Sequence, residues 1–144
     1  MTKKNFLLIL LVLGLGLVYA IWFTDWFRTT PLHISHTTRN LERMGARGFA
    51  LPGLRFRVNP VVRFKDLKVV ALAAYETNQS ALPVWHLVAD SSSEPVDEFS
   101  YGADIRGMHP SIPGDHAELL QTNVVYRLFI RAGRAVGQHD FELK

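Results

Sequence analysis

The residues best suited to chemistry are histidines and carboxylates in one stretch rich in glycine and proline, residues 102–118. Imidazole nitrogens and carboxylate oxygens are common ligands of zinc and related ions, and a loop of this composition can fold back to bring them onto one ion. Their spacing matches no established ligand motif. We therefore expect no bound metal and no cofactor; should a metal bind, the candidate ligands are His109, Asp115, His116 and Glu118.

The other reactive side chains follow no catalytic motif. His33 and His36 are three residues apart, so on one strand they would point to opposite faces. Serines at 91–93 follow Asp90, but the chain has no G-x-S-x-G, S-x-x-K or H-E-x-x-H pattern. It also contains no cysteine, which excludes disulfides, thiolate metal sites, a thiol nucleophile and covalent haem. We expect a non-enzymatic protein.

An uncharged apolar segment, residues 6–23, precedes all of these residues. At about 1.5 Å per residue, a helix of this length reaches about 27 Å, close to the hydrocarbon thickness of a bilayer. Lysines precede the segment and aromatic residues of the type found at membrane interfaces follow it. Residues 1–28 are therefore predicted to form a cytoplasmic tip and one transmembrane helix. The predicted interface residues are Lys3, Lys4, Trp22, Phe23, Trp26 and Phe27.

The charges that flank this segment predict its orientation. Lys3 and Lys4 precede it, whereas Asp25 and Arg28 cancel after it. Because positive flanks stay in the cytoplasm, the amino terminus is predicted to be cytoplasmic and residues 29–144 extracytoplasmic. The juxtamembrane sequence WFTDWFR resembles that of small anchored bacterial proteins, which implies the bacterial inner membrane and a periplasmic domain.

A cleaved signal peptide is the alternative to a permanent anchor. Val18 and Ala20 occupy the positions of a small-residue cleavage site after Ala20. The apolar segment continues past Ala20 to Phe23, which favours an uncleaved anchor, but the alternative stays open.

Residues 29–144 are predicted to form one mainly β domain, a small antiparallel sandwich, because short alternating segments recur every 8–12 residues or so. Leu54, Phe56 and Val58, for example, alternate with two arginines. Asn59 and Pro60 are expected to break that strand. Residues 40–44 are expected to be a short helix or a loop, and 102–117 an irregular crossing loop. The predicted strands are 29–38, 54–58, 61–64, 66–77, 83–90, 96–101, 123–131 and 135–143.

The end of the chain resembles an immunoglobulin-like or fibronectin type III-like domain, in which a leucine and a tyrosine mark the corner before the penultimate strand. Trp85, in a predicted inner strand, fits the same pattern. The resemblance implies a fold and no activity. The residues that carry it are Leu120, Thr122, Asn123, Tyr126, Leu128, Ile130 and Ala132.

Charge is divided unequally along the domain. Residues 28–68 contain nine basic and two acidic residues, and residues 69–118 contain one basic and eight acidic residues. The two halves either neutralise each other within the fold or leave a cationic surface for anionic headgroups or an acidic partner. Nucleic acid is excluded, because no recognition motif is present and the domain is expected outside the cytoplasm. The expected docking residues are Arg28, Arg39, Arg43, Arg47, Arg55 and Arg57.

These features predict an accessory or scaffolding subunit of a larger membrane complex, either energy-transducing (respiratory or photosynthetic) or envelope-building. Its partners would be the bilayer and other membrane subunits. The alternative is an independent binding module that presents the loops 39–53 and 102–117 to a ligand or an envelope polymer. A small metal-dependent hydrolase is a minor alternative.

Overall fold

The computed structural model describes residues 2–23, 29–44, 50–91 and 93–144, with the backbone alone described at 40–44 and 50–52. Within this part of the chain there are two helices, α1 (Lys3–Phe23) and α2 (Leu72–Thr77). The strands there are β1 (Thr30–Pro31), β2 (His33–Met44), β3 (Ala50–Arg63), β4 (Asp66–Ala71), β5 (Trp85–Ala89), β6 (Pro95–Ser100), β7 (Met108–Pro110), β8 (Val125–Ala132) and β9 (Ala135–Glu142).

Helix α1 contains the predicted apolar segment and extends it by three residues at its amino end. It has 21 residues, none of which is buried, and it contains an 18-residue window with a mean hydropathy of 2.7. A helix of that length reaches about 31 Å. It is therefore long and apolar enough to cross a membrane, a test that a signal sequence near the amino terminus also meets.

The strands form two sheets. The first sheet has the order β1-β9-β8-β4-β5-β7, and the second has the order β2-β3-β6. Neighbouring strands are antiparallel, except that β1 runs parallel to β9. The prediction of a mainly β domain is confirmed.

Both sheets contribute side chains to one apolar core. The Phe56 ring of the second sheet lies 5.0 Å from that of Phe141 in the first, and the Phe99 and Trp85 rings lie 6.2 Å apart between the same sheets. Burying such a side chain contributes about 1.5–3 kcal/mol. The sheets thus face each other across the core, as expected for a β-sandwich.

The prediction of a single strand over 29–38 is wrong, because the chain changes sheets there. Thr30 and Pro31 pair with β9 of the first sheet, whereas β2 begins at His33 and pairs with β3 of the second. The predicted helix or loop at 40–44 is also wrong. Strand β2 continues to Met44, since its backbone pairs with β3 as far as Ala50.

The break predicted at Asn59 and Pro60 is wrong as well, since β3 continues through both residues. Pro60 has no N–H group to donate. At Pro60, β3 is paired with neither of its neighbouring strands. Its pairing with β2 ends at Asn59, and its pairing with β6 is interrupted between Arg57 and Val62. No ladder hydrogen bond is therefore lost.

The strand predicted over 66–77 is only half correct. Pairing of β4 with β8 ends at Ala71, and Leu72 begins helix α2. Leucine, alanine and glutamate, which dominate this segment, are strong helix formers. The Tyr75 ring of α2 lies 5.1 Å from the ring of Phe129 on β8. The helix thus covers an aromatic side chain outside the core.

Several predictions at the other strands are confirmed. β4 pairs antiparallel with β5, and β8 with β9, the latter through a turn at which Gly133 adopts a positive φ of 65°. β6 is an edge strand of the second sheet. The loop predicted over 102–117 contains one short strand, β7, which pairs with β5.

Candidate functional site

Two histidines that are 103 residues apart meet between the two sheets. Nδ1 of His36 on β2 lies 2.7 Å from Nε2 of His139 on β9. Their ring centroids are 5.0 Å apart, with the planes tilted by 54°. This is the distance of a hydrogen bond between two imidazoles, in which one nitrogen donates and the other accepts. His36 is exposed and His139 is partly exposed, so solvent reaches the pair.

The crossing of the chain from β1 to β2 positions this pair. The N–H of Leu32 donates to the carbonyl oxygen of Val136 (3.0 Å), which holds the start of β2 against β9. Gly137 makes this approach possible, because a Cβ there would lie 2.7 Å from Cβ of Leu32 and 3.0 Å from Cδ1 of Ile34. His36 lies two residues after Ile34, and His139 lies two residues after Gly137, so the two histidines face each other.

The strand period of two directs both rings toward the gap between the sheets. His36 comes two residues after the buried Ile34, and His139 comes two residues before the buried Phe141. The Phe141 ring lies 6.1 Å from that of His36 and forms the inner wall of the site. The pair therefore lies where the apolar core ends and solvent begins.

The electrostatic surroundings favour an uncharged His139. Partial burial, and then the nearby His36, lower the pKa of His139 below its usual value. Asp140, the next residue, is engaged elsewhere: Nε and Nη2 of Arg127 donate to its two carboxylate oxygens at 2.6 and 2.8 Å. That pairing lowers the pKa of Asp140.

A third histidine, His86, lies on the outer face of the first sheet. Nε2 of His86 is 2.7 Å from Oδ1 of Asp66, and Nη2 of Arg131 is 3.8 Å from Oδ2 of the same carboxylate. A histidine–carboxylate pair is part of hydrolytic triads. Within the described residues no nucleophile joins this group. The arrangement is a network of polar side chains that links β5, β4 and β8.

The four predicted metal candidates do not come together. His109 lies on the edge strand β7, paired with Val88 of β5, and its side chain is exposed. The backbone N–H of His116 bonds to the Asp115 carboxylate, and the backbone of Glu118 bonds to Val84 and to the Tyr101 hydroxyl. Among the described residues no three histidine, aspartate or glutamate side chains could hold one ion.

Two of the predicted docking arginines form ion pairs within the domain. Glu98 on β6 lies 3.0 Å from Arg55 and 3.6 Å from Arg57, both on the outer face of β3. The basic and acidic halves of the sequence thus meet at the β3–β6 pair. Arg39 is exposed on β2. For Arg43 the structure describes the backbone alone, and Arg28 and Arg47 lie outside the described residues. Docking by these arginines stays a prediction.

The predicted membrane-interface residues lie at both ends of α1. Lys3 and Lys4 occupy its first turn, and Trp22 and Phe23 its last, with exposed fractions of 78% and 75% for the two aromatic residues. Trp26 and Phe27 lie outside the described residues. The aromatic end of the helix is therefore available to a lipid interface or to another helix.

Sequence reasoning did not pair His36 with His139. The only available signal was strand parity, since each histidine lies two positions from an apolar residue that alternation places in the core. Nothing in the spacing connects strands from opposite sheets. Comparisons with protein-family models, curated proteins and solved structures each found no match for the chain.

Proposed function

We propose that the chain is a non-enzymatic accessory or scaffolding subunit of a larger membrane complex, in which α1 holds the β domain against partner subunits. The observation that carries this proposal is that α1 buries none of its 21 residues within the chain. A helix with an 18-residue window of mean hydropathy 2.7 must cover that surface with lipid or with other helices.

One end of α1 offers a surface to a neighbouring helix. Gly16 has no atom within 4 Å of the position of a Cβ, so another backbone can approach closely there. Together with Gly16, the side chains of Val12, Leu15, Val18, Tyr19 and Trp22 line a shallow apolar recess. The Tyr19 and Phe23 rings stack at 4.9 Å. These features support a helix-packing role for α1.

The proposal also includes the membrane in which the chain lies and its orientation there. Lys3 and Lys4 at the amino end of α1 support a cytoplasmic amino terminus in a bacterial inner membrane, with the domain in the periplasm. A reporter fused after Lys144 tests this orientation. Alkaline phosphatase is expected to be active there and a fluorescent protein that folds only in the cytoplasm dark; the reverse pattern would contradict it.

We further propose that the domain is of the immunoglobulin-like or fibronectin type III-like type. β2-β3-β6 and β4-β8-β9 match the order of the A-B-E and C-F-G strands of such domains. Tyr126, at the start of β8, accepts a hydrogen bond from the backbone N–H of Gln121 (2.9 Å), as the tyrosine-corner residue does in that fold. An experimental structure with a different strand order would overturn this assignment.

Purification of the full chain in a mild detergent tests the subunit proposal. We expect a stoichiometric assembly with other membrane proteins. A variant in which polyleucine of equal length replaces 6–23 keeps the anchor but loses the packing surface, so it should lose these partners while the β domain keeps its circular dichroism spectrum. Free monomer at all protein concentrations would contradict the proposal.

One observation favours the alternative, a membrane-anchored binding module. The Tyr101 N–H donates to the carbonyl oxygen of Leu54 (2.9 Å), so the segments 39–53 and 102–117 begin or end at adjacent points of the domain. In the first segment the described residues are strand, in β2 as far as Met44 and in β3 from Ala50. Connecting segments at one end of a sandwich are the usual place for ligand binding. This alternative predicts that substitutions in both segments weaken binding of the same envelope polymer or ligand. No observation favours the hydrolase.

A further inference from the structure

The His36–His139 pair has the chemistry of an incomplete metal site. Two imidazole nitrogens from different sheets face each other at 2.7 Å, at a place that solvent reaches. In the hydrogen-bonded form one proton lies between them. Moving that proton to the opposite nitrogen of its ring leaves two lone pairs directed at one point, which is what a bridging metal ion requires.

The geometric change that a metal requires is small. Zinc binds imidazole nitrogen at about 2.0–2.1 Å, so two nitrogens on one tetrahedral ion lie about 3.3 Å apart. The rings would separate by less than about 1 Å, which small side-chain rotations supply at an exposed site. Water can occupy the remaining positions, because His36 faces solvent.

The neighbouring groups define which ion fits. His33 has the opposite parity to His36 on β2, and Asp140 is held by Arg127. Among the described residues no third histidine, aspartate or glutamate side chain completes a metal site, so the two imidazoles are the protein ligands. Imidazole suits zinc, copper and nickel, whereas calcium and magnesium prefer oxygen ligands. The site therefore selects against the hard cations.

We propose that His36 and His139 bind a divalent transition-metal ion of the zinc–copper–nickel group, with water in the other positions. The ion links β2 to β9, and so closes the side of the domain at which the chain enters it from α1. This site is independent of the function proposed above, since it requires neither a partner subunit nor an enzymatic activity.

Titration of the full chain with Zn²⁺ tests the proposal. The protein carries no polyhistidine tag, is stripped of metal and is held in nonionic detergent micelles. We expect one Zn²⁺ per chain by calorimetry. Since losing even an outer partner of a metal ligand costs about 10–100-fold in affinity, His36→Gln and His139→Gln should each weaken binding by at least about tenfold.

The matched control changes two histidines outside the His36–His139 pair. The His109→Gln/His116→Gln variant should bind Zn²⁺ like the wild type, and Mg²⁺ should bind to neither. Zn²⁺ should raise the midpoint of thermal unfolding of the wild type and of this control, but not of the His36→Gln/His139→Gln variant. Equal Zn²⁺ binding by the wild type and that double variant would overturn the proposal, as would loss of binding in the control.

A measurement on the wild type alone keeps the test valid if a variant fails to fold. One equivalent of Cu²⁺ should give an electron paramagnetic resonance spectrum with hyperfine coupling to imidazole nitrogen. Because an imidazole site binds Cu²⁺ more tightly than Zn²⁺, only a large excess of Zn²⁺ should displace the copper and remove the signal of the bound ion. A spectrum with only oxygen ligands, or only free aqueous copper, would refute the site.

Discussion

The two sheets meet along two sides of the domain, and different chemistry closes each side. On the aromatic side, between β5 and β6, Trp85, Phe99 and Tyr101 pack together at ring distances of 5.1–6.2 Å and are at most 6% exposed. On the histidine side, between β2 and β9, His36 and His139 meet in contact with solvent. The aromatic side excludes water and stabilises the fold, whereas the histidine side leaves nitrogen atoms available to a ligand.

Removing a ring from the aromatic side should have the largest effect. Phe99 contacts the rings of Phe56, Phe64 and Trp85, so Phe99→Ala leaves a cavity between the sheets. We expect a loss of about 3–5 kcal/mol in the free energy of unfolding. Urea unfolding of the full chain in detergent micelles measures it, with Asp97→Ala on the exposed face of β6 as the control. A loss below about 1 kcal/mol would refute the stabilising role of this side.

A methyl group added on the histidine side should have the next largest effect. Gly137→Ala places a Cβ 2.7 Å from Cβ of Leu32, which cannot rotate away, so β2 and β9 must separate. Overpacking of this kind costs about 1–3 kcal/mol. The same urea measurement applies, and Gln138→Ala, which is exposed on the same strand, should change little. If Gly137→Ala is as stable as the wild type, the close approach of the two strands is not required.

The two sides also differ in how far the sequence could predict them. Alternation in β3 and β6 placed Phe56 and Phe99 in strands, because the period of two is a local property. The meeting of His36 and His139 depends on how two sheets align across the core, and no local pattern contains that information. Helix α2 was missed for a different reason. Its apolar residues continue the alternation of β4, and that pattern conceals the helix-forming composition of the segment after pairing ends at Ala71.

Removing a single hydroxyl on the aromatic side should have a smaller effect. The buried Tyr101 hydroxyl donates to the carbonyl oxygen of Glu118 at 2.7 Å. Tyr101→Phe keeps the ring but leaves that carbonyl without its donor, at a cost of about 0.5–1.5 kcal/mol near neutral pH. Urea unfolding at pH 7 measures this loss.

The pKa of the Tyr101 hydroxyl predicts how the free energy of unfolding changes at alkaline pH. Burial, and then the nearby Glu118, raise the pKa of Tyr101 well above its usual value of 10.0. The folded state therefore holds this proton more tightly than the unfolded state, so the contribution is complete below pH 10 and is lost as the pH rises above it. The stability advantage of the wild type over Tyr101→Phe should be constant from pH 8 to about pH 9 and should shrink as the pH rises above 10. An advantage that grows with pH would contradict this assignment.

The smallest effect is expected from the histidines themselves in the absence of metal. An exposed hydrogen bond exchanges with water at little net cost, so His36→Gln and His139→Gln should each change the free energy of unfolding by no more than about 0.5 kcal/mol with a chelator present. A double-mutant cycle measures the coupling between the two residues. A coupling well above about 1 kcal/mol would mean that the pair stabilises the fold as the aromatic side does. A coupling near zero under these conditions, together with a large one in Zn²⁺, would show that the histidine side is held by the ion it binds.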